Sequence, residues 1–377
     1  MRKILLASTA LVAFAGAAQA AESPIQVTLG GSVDFRAALF HESDKVMATG
    51  ETVRRNGDFQ SEYDLTIAAT GKAAGGIDYG ALINLDNGQA RVGTDQYGVA
   101  AQYAYVWMSG AFGKVLMGDE RGASDLFVMA PTVGEGQIAG NYTNFTDANT
   151  LAEFKPTFFS NTESYTKVTY YTPKVGNANH KVQLGVSYAA ENEQGTVSSS
   201  YEPTTAGGYE NLVETVVQYT GDFKPVSVTV SPMLIVGEGQ GDKASLTVRD
   251  FTAWGVGADA KYAAFTLGGS YVDAGHMTTT MGQEENQDVW TIGLKYTGFD
   301  KVELAANYMD GEGYFNVLDG ADSVYVDSFS AVGLGATYTW FPGLTTAADA
   351  VFFDQSRKDA TSDNVGQVLM LTQKMSF

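Results

Sequence analysis

The sequence contains no cysteine, which excludes disulfide staples, thiolate catalysis and cysteine-based metal centres. Proline is scarce, 8 residues against 43 glycines, and a chain with few residues that delete a backbone donor suits many paired strands. Beyond Ala21 no run approaches the ~20 consecutive apolar residues that a membrane-spanning helix needs. Basic residues are also few: 23 Lys and Arg face 43 Asp and Glu, a formal net charge of -20. That balance excludes nucleic acid as a partner, because phosphate binding needs a basic face. The three histidines, His41, His180 and His276, are far apart and lack metal-ligand spacing. Neither a Gly-x-Ser-x-Gly elbow nor a His-Glu-x-x-His segment occurs, so no enzyme activity and no cofactor are expected. The acidic, Asn-rich connections suggest at most weak Ca2+ binding through oxygen ligands.

What is present begins with an export signal. Met1-Arg2-Lys3 is cationic, Ile4 to Ala18 is apolar and small, and Ala18-Gln19-Ala20 is a small-x-small cleavage site. Residues 1–20 are therefore expected to be a cleaved secretory segment and residues 21–377 the mature protein.

Alternation dominates that mature part. In Gln367-Val-Leu-Met-Leu-Thr-Gln-Lys-Met-Ser-Phe377, Leu369, Leu371, Met375 and Phe377 share one parity, and Thr372, Lys374 and Ser376 the other. Ile25 to Phe40 repeats the pattern, with Val27, Leu29, Val33 and Phe35 set against Thr28, Ser32, Asp34 and Arg36. Successive side chains in a strand point to opposite faces, and about ten tilted residues of this kind cross a bilayer. Further strands are expected near 59–67, 77–85, 101–109, 113–118, 166–173, 181–190, 212–220, 226–236, 253–262, 265–274, 288–297, 301–309, 329–339, 344–353 and 366–377. Tight connections alternate with long ones at 41–58, 87–100, 119–165, 189–211, 237–252, 275–287, 310–328 and 354–365. Short turns at one rim, long loops at the other and an even strand count define an all-β, transmembrane antiparallel β-barrel of about 16 strands in a bacterial outer membrane. Aromatics near strand ends (Tyr79, Trp107, Tyr188, Tyr219, Tyr262, Tyr296, Tyr338, Trp340) are expected in interfacial girdles. The other parity offers Gly185, Ser187, Gly257, Gly268 and Asn307, which predicts room for water rather than a packed interior.

The run Ser109-Gly-Ala-Phe-Gly-Lys-Val-Leu-Met-Gly-Asp119, followed by Arg121-Gly-Ala-Ser-Asp125, resembles the Gram-negative general porins, closest to the alphaproteobacterial type. The resemblance implies a homotrimer of sixteen-stranded barrels in outer-membrane lipid. Each barrel would be a water-filled pore for small hydrophilic solutes and ions, with its third loop folded inward. It also implies that the terminal strand ending in Phe377 is offered to the barrel-assembly machinery. The residues agree on the loop: 119–165 is the longest connection and carries Phe127, Ile138, Tyr142, Phe145 and Phe154, which need something to pack on.

Selectivity should follow the charges at the narrowing. The loop supplies Asp119, Glu120, Asp125, Glu135, Asp147 and Glu153. The wall supplies Asp34, Arg36, Glu62 and Asp64, with Arg54, Arg55 and Arg91 near the mouth and Lys114 and Lys167 as alternative cations. Relatives set an arginine cluster against such a loop. Here the second strand is acidic instead, which predicts cation preference. Two other readings use the same fold. One is a substrate-specific channel with a saturable site and an aromatic ladder; the other is a structural barrel with a filled interior.

Overall fold

The computed structural model describes residues 24–43, 56–87, 99–134, 137–138, 140–146, 164–191, 209–239, 250–275, 287–319, 322–357 and 363–377. The expected export segment lies outside them. The strands are β1 Gln26–Glu42, β2 Gly57–Ala73, β3 Ile77–Asp86, β4 Ala100–Gly110, β5 Gly113–Asp119 and β6 Thr166–Tyr171, which resumes at Val175–Gly176. They continue as β7 His180–Glu191, β8 Tyr209–Asp222, β9 Val226–Gly239, β10 Phe251–Tyr262 and β11 Phe265–Gly275. The last five are β12 Gln287–Phe299, β13 Val302–Asp319, β14 Asp322–Phe341, β15 Leu344–Arg357 and β16 Asn364–Ser376. Both pieces of β6 pair with β7; the break falls at Pro173, which has no amide to donate. Each strand pairs antiparallel with its neighbours in sequence, and β16 pairs with β1 from Ser32↔Ser376 to Glu42↔Gly366. The result is a closed sixteen-stranded barrel.

Phe377 and Gly31 exchange backbone hydrogen bonds of 3.0 Å at one end of the seam. Gly31 is obligatory there, because a Cβ would lie 2.2 Å from the Asp64 carbonyl oxygen. At the other end Asn364 donates to buried Glu42 at 2.9 Å.

The outward parity is apolar, as the alternation requires: Leu369, Leu371 and Met375 are exposed, while Val368, Met370 and Thr372 between them are buried. Aromatics gather at both rims. Phe265 contacts Tyr296 and Tyr338 contacts Trp340, each pair 4.7 Å between centroids, near the short turns. Near the long connections Trp254 meets Tyr271 at 5.5 Å and Trp290 meets Tyr308 at 5.1 Å. Trp107 does not join a girdle: it pairs with Gly80 and Leu116 on the inner face, while its neighbour Val106 is exposed outside.

Two further expectations are corrected. Residues 310–328 are not one long loop, since β13 and β14 stay paired out to Asp319↔Asp322. Nor is the inner parity uniformly hydrophilic. Towards the long connections Leu212, Ile235, Val272, Met309 and Phe329 face inward and are fully buried, in two apolar clusters that include residues of the third loop. The interior is a pore on one side and a packed core on the other.

Leu371 lies in the outward band between Ala348 and Ala37. Leu371→Arg is expected to destabilise the folded barrel by roughly 2–4 kcal/mol, the cost of a cation on the lipid face near mid-bilayer. Urea titration of the protein in liposomes measures it, and an unchanged midpoint would contradict an outward Leu371.

Candidate functional site

The third loop does not cross the interior freely. It follows the inner wall, touching strands nearly in chain order. Ala123 N donates to Ser187 on β7 and Ser124 N to Glu214 on β8, both at 3.2 Å. Gln218 on β8 donates to the Leu126 carbonyl at 2.8 Å, and Val128 N donates to Ser231 on β9 at 2.7 Å. Pro131 then passes over Gly268 and Gly293. Asn307 on β13 donates to Gln137. Finally Phe145 packs 6.3 Å from Phe40 on β1, and Asn144 donates to Gln60 on β2 at 3.1 Å.

Glycines make this approach possible. A Cβ at Gly257 would sit 1.8 Å from the Val128 carbonyl oxygen, one at Gly335 would sit 1.5 Å from Gln137, and one at Gly293 3.1 Å from the Pro131 carbonyl. Glycine allows close backbone approach that any larger residue blocks. Small inward residues therefore hold the loop where the sequence suggested water, Gly257 against its backbone and Gly268 against the Pro131 ring.

Beside the loop's far end at Asn144, and across the barrel from the stretch docked on β7 to β13, β1 and β2 carry a charged cluster. Arg36 bonds Asp34 at 2.8 Å and Glu62 at 2.6 Å, with Gln60 at 3.4 Å. Arg36 is 1% exposed, Asp34 4% and Glu62 23%. One buried guanidinium is thus held by two carboxylates, of which Glu62 is the wetter, and Lys374 on β16 stands directly opposite Asp34 across the seam. Asp64, half-buried two residues along, lies opposite Asp86 on β3.

The acidic loop residues separate into two kinds. Asp119 and Glu120 are buried, 8% and 3% exposed. Asp119 accepts the Thr166 hydroxyl, and Lys167 donates to the Glu120 carbonyl oxygen. Burial pushes the Glu120 carboxyl up to about 7, with Glu214 and Asp125 acting the same way and Thr169 and Lys167 opposing. These two anchor the loop and do not line water. Asp125 is exposed and lies 3.8 Å from exposed Arg121. Glu135, Asp147, Glu153, Arg54, Arg55 and Arg91 lie outside the described residues.

Arg121, Asn144 and Tyr103 were not singled out from the sequence as site residues, while Gln60 lies on the inner parity of β2 as its alternation implies. Arg121 donates to the Tyr103 hydroxyl at 3.0 Å and stands 5.6 Å from its ring centroid. Its one sequence signal was the i,i+4 spacing to Asp125. Nothing in the sequence marks Asn144. Among the described residues no group of three or more His, Asp or Glu side chains is placed to hold a metal ion.

A closed barrel with an apolar outer band, narrowed from inside by a docked loop and charged along the remaining wall, is a transmembrane channel. The chain belongs to the Gram-negative porin family, whose sequence model matches residues 7–358. Solved structures agree on the fold. OmpT of Vibrio cholerae, in a trimer form, aligns with a TM-score of 0.60 at 13% identity over 94% of this chain and 100% of its own. An anion-selective porin from Comamonas acidovorans gives 0.59 at 15% identity over 94% and 100%. A mutant of Rh. blastica porin gives 0.52 at 17% identity over 93% and 100%. No curated protein matches the chain. The protein is an outer-membrane channel.

Gly257→Val should lift the Val128 segment off β10, since overpacking of a close contact costs roughly 1–3 kcal/mol. Limited proteolysis of the folded barrel is expected to cut the variant's loop well before the parent's; equal cleavage would contradict the docked path. Glu120 carries a second expectation. Its docked carboxyl keeps its proton to about pH 7, while an undocked one ionises near the ordinary 4.5. Docking is then strongest below about 4.5 and weakens as pH rises to about 7. Loop protection measured across that window should fall in the parent and stay level in Glu120→Gln.

Proposed function

We propose that the protein is a diffusion channel for small hydrophilic solutes with a preference for cations, and that residues 1–20 direct its export. The observation that carries the preference is the state of Arg36. It is buried between Asp34 and Glu62, so the wall facing the loop offers an acidic surface where an arginine cluster would favour anions. Asp64, half-buried on β2, and exposed Asp125 on the loop add to it. The fold does not set the sign by itself, as the similar Comamonas acidovorans barrel is described as anion-selective. Charges at the narrowing decide it.

Assembly as a homotrimer is part of the same reading, supported by the trimer form of the similar Vibrio cholerae barrel. Recognition of the final strand by the assembly machinery is supported by its place in the seam, where Phe377 bonds to Gly31.

Single-channel recording of the refolded protein under a KCl gradient tests this. Triplet conductance steps with a reversal potential of cationic sign are expected. Glu62→Gln combined with Asp125→Asn should move that potential towards zero by removing two carboxylates that reach water, one half-buried and one exposed. An anionic sign in the parent would overturn the preference, and absence of conductance would overturn the channel.

A further inference from the structure

We propose that β4 carries a binding track for linear neutral oligosaccharides; the proposal rests on the channel reading and specifies a solute class for it. Tyr103, Tyr105 and Trp107 occupy alternate positions, opposite Asn84, Leu82 and Gly80 on β3. Between them Ala104 pairs with exposed Ile83, and Val106 is itself exposed on the outer face. All three aromatics therefore face inward, each partly exposed. Two residues of strand advance by about 6.8 Å, so the rings form a line of evenly spaced rungs running from the long-loop rim towards the short-turn rim.

The surroundings select the ligand. Arg121 stands 5.6 Å from the Tyr103 ring and Lys114 5.5 Å from the Trp107 ring. The two end rungs already hold cations, which disfavours a cationic ligand on their faces. Glu62, Asp64 and Asp125 repel an anionic one. A neutral molecule with apolar C–H faces and a rim of hydroxyls suits what remains, since amphipathic rings pair flat apolar surface with polar edges.

Polar groups are available beside the rungs. Asn84, directly opposite Tyr103 and 8% exposed, donates to Thr66 at 3.0 Å and fixes the wall behind the first rung. The Tyr105 hydroxyl and Trp107 Nε1 belong to partly exposed side chains on the same face. Gly80 lets the indole lie against β3, because a Cβ there would come within 2.9 Å of the ring. Sugar hydroxyls would exchange hydrogen bonds with the polar tips of these partly exposed rungs.

The experiment records ion current through refolded trimers in planar bilayers while maltohexaose or cellotetraose is added. Saturable block is expected, stronger for either oligosaccharide than for glucose, which spans a single rung. Trp107→Ala should weaken the block roughly tenfold, and Tyr105→Ala should weaken it in the same direction. Trp107→Phe, which keeps an aromatic face and guards against a folding defect, should retain most of it. Normal ion current with no block by either oligosaccharide overturns the track and leaves the channel standing. Block that Trp107→Ala and Tyr105→Ala leave unchanged overturns it as well. No ion current in any protein instead overturns the channel reading.

Discussion

Everything in this structure depends on the seam between β1 and β16. Inside hydrocarbon an unpaired backbone amide or carbonyl costs several kcal/mol, so a sheet can enter a membrane only if it has no edges. The seam runs in continuous register from Ser32↔Ser376 to Glu42↔Gly366, with Gly31 and Phe377 closing one end. Once closure is met, the outer face has a single task, to be apolar. The inner face is then free of the membrane's demands and can be divided among several uses.

That division is visible around the wall. From β7 to β16 the upper inner face is apolar and small, and it holds the loop through hydrogen bonds from Gln218 and Asn307 and to Ser231, with glycines in between. From β1 to β4 it is charged or aromatic, with Arg36, Glu62, Tyr103 and Trp107. The loop is therefore one wall of the channel because the other side of the barrel is its core. Its rigidity comes from distributed contacts, each modest, along some twenty residues.

The outer architecture was legible because lipid imposes alternation, and β1 and β16 show it residue by residue. The inner architecture was less legible because the inner face answers to two solvents, water and protein, and a glycine such as Gly257 suits both. β4 illustrates a second limit. Tyr103, Tyr105 and Trp107 alternate with Ala104, Val106 and Met108, so both parities are apolar or aromatic and periodicity could not say which faced in. Trp107 near a strand end then read as a girdle residue. The paired ends of β13 and β14 were missed although the sequence there reads Asp319-Gly320, a common hairpin signal. Among the charges, the acidic second strand was plain in the sequence, while the burial of Asp119 and Glu120 needed the loop's path.

The electrostatics of the pore follow from how its cations are used. A guanidinium buried without partners would cost several kcal/mol, so Arg36 demands the carboxylates it has. It has two, in charge-assisted bonds with Asp34 and Glu62, and Lys374 stands opposite Asp34 across the seam. Arg121, on the loop side, is likewise engaged by Asp125 and Tyr103. Each of these arginines serves structure first, and neither is left to present an open positive face. The ion entering the channel meets Glu62 and Asp64 on the wall and Asp125 on the loop. At physiological salt the Debye length is about 8 Å, so distant acids on the outer loops are screened and only groups at the narrowing act on the ion. The sign of selectivity is therefore a property of a few residues on β1, β2 and the loop rather than of the chain's net charge.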